Sequence, residues 1–117
     1  MKSLMNIKQW EIWDINFNPS QGQEIQKIRP AIVVNNQRLG KLKLKIVIPI
    51  SDITYPKTWH IGIKASNING LSKDCNADCF QIKSISEQRF LNKRGDLEEK
   101  YHSHIQLGIL MVLGIEF

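Results

Sequence analysis

The sequence lacks the features that would place it quickly among membrane, secreted or disordered proteins. It has no apolar run near the ~20 residues that a helix needs to cross a bilayer, and no internal repeat or low-complexity tract. Residues 1–8 contain neither the apolar segment nor the small-residue cleavage site of a signal peptide. Since 42% of the residues are hydrophobic and 23% are charged, the chain can bury a core. We expect one cytoplasmic domain over residues 1–117, with residues 1–8 as an N-terminal extension.

Cysteine is also scarce. The chain has two cysteines, Cys75 and Cys79, which are too few for a disulfide scaffold and are expected to be reduced and at least partly buried. Together with His102 and His104 they could supply four zinc ligands. The combination of Cys-x3-Cys with His-x-His does not match the spacings of zinc fingers, however. We therefore predict no metal site and no cofactor.

Acidic residues are outnumbered by basic ones. The chain has 16 Lys and Arg against 11 Asp and Glu, which gives a net charge of +5 and a pI near 9.4. Such a charge attracts polyanions over a long range but does not distinguish nucleic acid from an acidic protein partner.

Short apolar or alternating segments dominate the chain and predict strands. The first, WEIWDINF, places Trp13, Ile15 and Phe17 on one face. Turn signals separate the segments every ten to fifteen residues, and no helical pattern lies between the early ones, so we predict a small antiparallel barrel within a β-rich α+β fold. The predicted strands are residues 10–17, 30–35, 43–50, 59–64 and, less regular, 78–84.

Helical signals come late in the chain. Residues 86–93 predict a short helix. A second helix is expected from Leu97, because Asp96 and Glu99 have the layout of a capping box and Gly114 suits a left-handed C-terminal cap. We expect the apolar last turns of this helix to be buried in the core, with a subunit interface as the alternative. The apolar stripe of this helix comprises Leu97, Tyr101, Ile105, Gly108 or Ile109, and Val112.

An arginine stands at the start of the strand 30–35. The ring of Pro30 fixes its own backbone and restricts Arg29 to extended geometry, so this guanidinium has little freedom left to lose on binding. A planar fork of donors matches the oxygens of a phosphoryl group. The alternative for such an arginine is a surface ion pair.

Three motifs in order resemble the MazF/PemK toxins. The match runs from about residue 9 to the carboxyl end with consistent spacing. The first motif is EIWDINFNP followed by Gly22-x-Glu24 and Lys27-x-Arg29-Pro30-Ala31, the second is Pro49-Ile50-Ser51, and the third is Gly70-Leu71-Ser72-Lys73-Asp74 with Gln81-Ile82-Lys83-Ser84-Ile85.

The resemblance implies a fold and a function. The fold would be an SH3-like small β-barrel of the CcdB/PemK type, with a short helix and a C-terminal helix. The protein would be a homodimeric toxin that cleaves single-stranded RNA at short sequences without metal, and we expect its target to be messenger RNA. An acidic MazE-like antitoxin would occupy the RNA groove and neutralise it.

The resemblance also assigns residues. Arg29 and Ser51 would form the catalytic pair, and because a free serine is a weak base, Glu24, Asp52 or His60 would take the proton of the attacking 2'-hydroxyl. The expected RNA-binding residues are Asn18, Gln21, Gln23, Lys27, Tyr55, Lys57, Gln81 and Lys83.

The chain departs from the family at two positions. Some relatives draw catalytic groups from an Arg-x-Asp-Gln sequence, whereas here Phe80 stands before Gln81 and cannot act as an acid or base. Lys83 replaces the usual arginine, which keeps the charge but loses the bidentate fork.

Two other functions remain open on the same fold. A gyrase poison of the CcdB type would lack the Arg-Pro signature and end in Trp-Gly-Ile, whereas this chain has Arg29-Pro30 and ends Leu-Gly-Ile-Glu-Phe. A non-catalytic RNA- or translation-associated SH3-like module would need a basic groove but not Arg29 together with Ser51.

Overall fold

The computed structural model describes residues 6–116, which form an antiparallel sheet of seven strands and one carboxy-terminal helix. Four short 3-10 turns connect the elements, at Gln37–Leu39, Cys79–Gln81, Glu87–Arg89 and Glu99–Tyr101. The strands are β1 (Glu11–Asn16), β2 (Ile28–Val33), β3 (Leu44–Ser51), β4 (His60–Ile63), β5 (Cys75–Asp78), β6 (Lys83–Ser86) and β7 (Phe90–Asp96), and the helix is α1 (His102–Leu113).

The sheet is strongly curved around its longest strand. Its order is β4-β5-β3-β2-β1-β7, and β6 also pairs with β3. The first half of β3, from Leu44 to Val47, pairs with β6, while its last residues, Ile50 and Ser51, pair with β5. One strand therefore takes part in two successive ladders, with β6 along its first half and with β5 at its end.

Each face of the sheet covers its own apolar core. Trp13 and Ile15 of β1, with Phe17 just after it, lie in one core, as the alternation of that segment predicts, whereas Ile12 lies in the other. The second core lies beneath α1 and includes Ile105 from that helix. Burial on both faces explains why β1 to β3 are more apolar than a half-exposed strand.

The first four predicted strands are confirmed, and each of their ends lies within two residues of the prediction. One detail of β3 reverses the expected pattern, since Leu44 and Ile46 are exposed while Lys45 is buried. Lys45 Nζ is satisfied there by the Leu42 carbonyl at 2.8 Å and by the Glu87 carboxylate at 3.5 Å. The fifth predicted strand, 78–84, is wrong as a continuous element, because a 3-10 turn separates β5 from β6.

The predicted helix over residues 86–93 is wrong. After the short turn Glu87–Arg89, the chain extends into β7, which pairs with β1 along its length. Phe90 is buried and meets Trp13 edge to face, with ring centroids 5.8 Å apart. Pairing with a distant strand thus outweighed a local sequence that is compatible with a helix.

The predicted start of the last helix is also wrong. Asp96 ends β7, where its N–H donates to the Ile68 carbonyl and its carboxylate lies 3.2 Å from Lys93 Nζ, so it caps no helix. The α-helix begins at His102, after a 3-10 turn. Its end is as predicted: Gly114 is left-handed (φ 68°, ψ 30°), and its N–H is directed at the Leu110 and Met111 carbonyls.

Only one face of α1 is buried. Ile105 and Gly108 contact the core, but Leu107, Met111, Leu113 and Ile115 are exposed. The expectation that the last turns are buried in the core is therefore wrong for most of their side chains, and the alternative of an interface is the one that the exposed apolar surface favours. Among residues 6–116, no helix is long and apolar enough to span a bilayer.

Candidate active site

A small cleft of about 120 Å³ opens where the ends of β2 and β3 meet the segment that follows Gly70. Three cationic side chains and one carboxylate line it, so the cleft carries an excess of positive charge. Its lining residues are Arg29, Pro30, Ile50, Ser51, Asp52, Leu71, Ser72, Lys73, Cys75 and Arg94.

Arg29 lies near the start of β2, opposite Ile15 of β1. Its Nε is buried and has no hydrogen-bond partner among residues 6–116, and within the same residues no carboxylate lies within 4.0 Å of its guanidinium. The alternative of a surface ion pair is therefore not what the structure shows. A buried donor of a permanently charged group that has no protein partner is costly unless something else satisfies it, and a bound anion would do so.

Ser51 is the last residue of β3 and pairs with Asn76 of β5. It is half-buried in the same cleft as Arg29. The next residue, Asp52, leaves the sheet, and its carboxylate lies 3.1 Å from Lys73 Nζ across the cleft mouth. The two residues predicted to form the catalytic pair thus come together from adjacent antiparallel strands, β2 and β3.

Of the three candidate proton acceptors, only Asp52 lines this cleft. Glu24 is exposed in the loop between β1 and β2, where its Oε1 accepts from the Gln21 N–H at 2.7 Å. His60 lines a different cavity; its Nδ1 accepts from the Lys57 N–H at 2.8 Å, and its Nε2 lies 3.5 Å from Asp78. The structure therefore does not bring Glu24 or His60 to the pair Arg29 and Ser51.

The loop between β1 and β2 carries several of the residues predicted to bind RNA. Gln81 clamps this loop, because its Nε2 donates to the Gln23 carbonyl at 2.9 Å and its Oε1 accepts from the Ile25 N–H at 3.2 Å. Each end of its amide thus makes one contact with the main chain, so Gln81 is placed to hold the loop. Asn18 also uses its Oδ1 within the loop, accepting from the Lys27 N–H at 3.0 Å.

The remaining predicted RNA-binding residues lie in this loop, in the segment after β3 and at the start of β6. Gln21, Gln23 and Lys27 are exposed in the loop, and Tyr55 is 81% exposed in the segment after β3. Lys57 is exposed, and Lys83 Nζ lies 5.9 Å from the centre of the Phe17 ring. None of these side chains lines the cleft itself.

A much larger groove, of about 890 Å³, lies between β4, β5 and the start of α1. Its lining residues include His60, Tyr101 and His104, and Cys75 lines both cavities. Of the residues considered as zinc ligands, Cys75 and His104 line this groove. His102 instead stacks on Trp10 with ring centroids 4.0 Å apart, and Cys79 is buried. Within residues 6–116, no group of three or more His, Cys, Asp or Glu is arranged to hold a metal ion.

The two cysteines are free, as expected, and neither thiol is activated. Burial raises the pKa of Cys79 to about 11, and the charge of Asp78 adds to this shift. Burial also raises the pKa of Cys75. Because the thiolate is the nucleophilic form, these thiols are unsuited to nucleophilic catalysis.

Sequence reasoning missed two cationic residues of the cleft. Lys73 belongs to a segment that resembles a family motif, which was a usable signal. Arg94 gave no signal, because the sequence predicts a helix over residues 86–93, whereas Arg94 is part of β7. Its Nε donates to the Gly70 carbonyl at 2.9 Å, and its Nη1 lies 3.3 Å from the Asp14 carboxylate.

Residues 8–113 match the sequence model of the PemK-like, MazF-like toxins of type II toxin-antitoxin systems. The chain belongs to this family. A curated relative, the endoribonuclease MazF9 of Mycobacterium tuberculosis, is 30% identical over an alignment of 116 positions. The match covers 86% of this chain and 98% of that protein.

Solved structures of MazF proteins have the same fold as this MazF-like toxin. The M. tuberculosis toxin MazF-mt6 matches with a TM-score of 0.77 at 16% identity, over 92% of this chain and 99% of that one. MazF of Deinococcus radiodurans matches with a TM-score of 0.78 at 17% identity, over 92% and 96%. A mycobacterial endoribonuclease solved with its cognate antitoxin matches with a TM-score of 0.76 at 10% identity, over 96% and 99%. The predicted family and the CcdB/PemK-type fold are confirmed.

Proposed function

We propose that this MazF-like toxin is an endoribonuclease that cleaves single-stranded RNA, without a metal ion, by attack of the 2'-hydroxyl on the adjacent phosphorus. The observation that carries this proposal is the shared cleft of Arg29 and Ser51, in which the buried Nε of Arg29 has no protein partner. The curated relative that covers most of this chain is named an endoribonuclease, which supports the same class of enzyme.

The chemistry makes specific demands on this cleft. The 2'-hydroxyl gives up its proton, the 2'-oxygen forms a bond to phosphorus, and the bond from phosphorus to the 5'-oxygen breaks. The departing 5'-oxygen takes a proton from water, so the products are a 2',3'-cyclic phosphate and a 5'-hydroxyl. Negative charge accumulates on the phosphoryl oxygens and on the departing 5'-oxygen along this path. Arg29 supplies donors that are already in place for those oxygens, and a preorganised donor of this kind typically contributes ~3 kcal/mol to the transition state. Ser51 donates a hydrogen bond to the phosphate or orients the 2'-hydroxyl.

Asp52 is the proton acceptor that the geometry favours. It follows Ser51 directly, lines the cleft and lies beside Lys73, whereas the other two candidates point elsewhere. A carboxylate that is positioned to accept the proton of the 2'-hydroxyl accelerates such a step by roughly 10² to 10⁴.

The RNA would extend from the cleft over the loop between β1 and β2 and the segment after β3. Lys27 and Lys57 would neutralise phosphates, and Tyr55 would stack on an unpaired base. The same basic surface would bind an acidic antitoxin, and relatives solved with a cognate antitoxin support such a partner. The exposed apolar residues of α1, which include Leu107 and Met111, support a homodimer. Cleavage of messenger RNA in the cytoplasm would stop translation.

The proposal is tested by incubating the purified protein with a mixed-sequence single-stranded RNA in excess chelator and mapping the ends of the products. We expect cuts at one short sequence, with a cyclic phosphate on one side and a 5'-hydroxyl on the other. The matched control is the same RNA with a 2'-deoxy nucleotide at the mapped position, which must stay intact because the attacking hydroxyl is missing. RNA that is bound but unchanged would overturn the proposal and favour a binding module.

A further inference from the structure

Arg94 occupies an irregular position in β7. Trp13 pairs with Lys93, but the preceding residue of β1, Ile12, pairs with Gly95, so Arg94 is an extra residue with no partner opposite it. Such a bulge bends a strand and redirects a side chain, and bulges are frequent next to active sites for this reason. Here the redirected side chain lines the cleft of Arg29 and Ser51.

Two contacts hold the guanidinium of Arg94. Its Nε donates to the Gly70 carbonyl at 2.9 Å, and its Nη1 lies 3.3 Å from Asp14 Oδ1. Asp14 is itself held, since its Oδ2 accepts from Asn92 Nδ2 at 2.9 Å. A guanidinium has five N–H donors. The two contacts use two of them, and the rest have no acceptor among residues 6–116.

The surroundings of Arg94 favour a role beyond bracing the Gly70 segment. Gly70 is left-handed, and a Cβ there would lie 2.1 Å from the Arg94 carbonyl oxygen, so the main chains already fix this contact. The side chain is 25% exposed and not sealed in the interior. Asp14 balances part of its charge, but Asp14 does not line the cleft, while Arg29 and Lys73 add positive charge there.

We propose that Arg94 is a second phosphate-binding guanidinium, which grips the RNA phosphodiester from the side opposite Arg29. This inference rests on the proposed ribonuclease function. Charge that develops on several oxygens of one phosphorane is better matched by two fixed forks than by one, because each fork presents parallel donors to a pair of oxygens. The contacts with Gly70 and Asp14 engage Nε and Nη1 and leave the two N–H donors of Nη2 free for the phosphate.

The first test compares cleavage by Arg94→Met, Arg94→Lys and a matched control, Arg38→Met. Arg38 is an exposed arginine of the first 3-10 turn and lines neither cavity. We expect Arg94→Met to lower kcat/KM by roughly a hundredfold, Arg94→Lys by roughly tenfold because it keeps the charge but loses the fork, and Arg38→Met to change it little. Thermal unfolding of each variant verifies that it is folded.

The second test separates phosphate binding from bracing. Binding of a fully 2'-O-methylated RNA, which cannot be cleaved, is measured as a function of salt concentration. Loss of one phosphate contact should reduce the slope of log K against log salt by about 0.7 for Arg94→Met. Asp14→Asn removes the anchoring charge but keeps Arg94, so its slope should equal that of the parent protein.

The outcomes are distinct. If Arg94→Met and Asp14→Asn lose cleavage equally and neither changes the salt slope, Arg94 only braces the Gly70 segment and the inference is wrong. If Arg94→Met cleaves and binds like the parent, the inference is also wrong, while the proposed function stands because the parent still cleaves. A parent protein that never cleaves RNA would overturn the proposed function, and the salt slope of Arg94→Met would still report on the phosphate contact.

Discussion

The groove beneath α1 and the cleft of Arg29 and Ser51 differ in nearly every respect. The groove between β4, β5 and α1 has a volume of about 890 Å³ and is lined largely by apolar surface and by His60, Tyr101 and His104. The cleft at the ends of β2 and β3 has a volume of about 120 Å³ and collects Arg29, Lys73 and Arg94 around Ser51. A rule that takes the larger of the two cavities as the active site would select the groove.

The polar groups point to the cleft instead. In the groove, His60 is satisfied by the Lys57 N–H and Asp78, and the Tyr101 hydroxyl accepts from the Lys64 N–H at 3.1 Å. In the cleft, the buried Nε of Arg29 is left without a partner among residues 6–116. Satisfied polar groups stabilise a fold, whereas a preorganised donor that awaits an anion is poised for catalysis. The comparison therefore predicts that substitutions in the cleft impair RNA cleavage and that substitutions in the groove do not.

The largest effect is expected for Arg29→Met, compared with His104→Gln in the groove. Arg29→Met removes the charge and the donors but keeps an apolar stem for the packing around Pro30. We expect kcat/KM for a defined RNA to fall by about a thousandfold. His104→Gln should change it by less than about threefold, since the exposed His104 lines only the groove.

An equal loss in both variants would contradict the comparison. Arg29→Met should also be at least as stable as the parent towards thermal unfolding, because it removes a buried donor that has no partner. A destabilised Arg29→Met would mean that this guanidinium is part of the structural framework.

The next effect concerns Asp52→Asn. The amide keeps the shape of the carboxylate and its contact with Lys73, but it cannot accept the proton of the 2'-hydroxyl. We expect single-turnover cleavage to slow by about a hundredfold while RNA binding is retained or strengthened, because a negative charge is removed from the cleft. Glu24→Gln is the matched carboxylate control. If Glu24→Gln is slow and Asp52→Asn is not, the proton acceptor has been assigned to the wrong residue.

The strands β2 and β3, which carry Arg29 and Ser51, could be predicted from the sequence. The strand β7, which contributes Arg94 to the cleft, could not. β1, β2 and β3 have short branched apolar runs bounded by turn residues, so their pairing brings Arg29 and Ser51 to one edge. β7 has no such signal, because its exposed polar face is also compatible with a helix, and only pairing with β1 makes it a strand. The position of Arg94 depends further on a bulge, which no local pattern specifies.

The helix at the end of the chain could likewise be predicted only in part, because its end depends on local sequence and its start on a long-range contact. The left-handed cap at Gly114 follows from the residue type alone. The start of α1 does not, because the Leu97 N–H donates a main-chain hydrogen bond to the carbonyl of Trp10, the residue before β1, at 2.8 Å. A long-range contact of this kind outweighs a capping pattern that contributes about 1 kcal/mol.

A smaller effect, on stability, is expected for Glu11→Gln. Burial alone would raise the pKa of Glu11, but the Lys8 N–H, the Trp13 indole and Lys93 more than offset it, so the pKa lies below its ordinary value of 4.5. A lowered carboxyl pKa stabilises the fold at neutral pH, and this contribution is lost as the pH falls through the folded-state pKa. Glu11→Gln should therefore cost about 1.5–3 kcal/mol at neutral pH and less in acid.

Chemical denaturation from about pH 7 to about pH 3 measures this difference. Glu11 joins β1 to β7, the strands that bear Asp14 and Arg94. Because Glu11 lines neither cavity, the variant tests the stability of this strand framework and not the chemistry of the cleft. Cleavage per folded molecule should be unchanged at neutral pH. A stability gap between parent and Glu11→Gln that widens in acid would have the wrong sign and would contradict the assigned pKa shift.

The smallest effect is expected for Gly108→Ala, which acts beneath α1 on the groove side. A Cβ at Gly108 would lie 2.6 Å from the Cys79 Sγ and 3.6 Å from Ile61, within a fully packed contact. Alanine gains about 1 kcal/mol of helix propensity over glycine. Overpacking of a core contact costs about 1–3 kcal/mol, so a net loss of about 1 kcal/mol follows. Adding Cys79→Ala should recover most of it, since the clashing sulfur is removed, and Cys79→Ala alone is the control. Thermal unfolding gives all three values, and a stabilised Gly108→Ala would show that α1 can move away from the sheet at little cost.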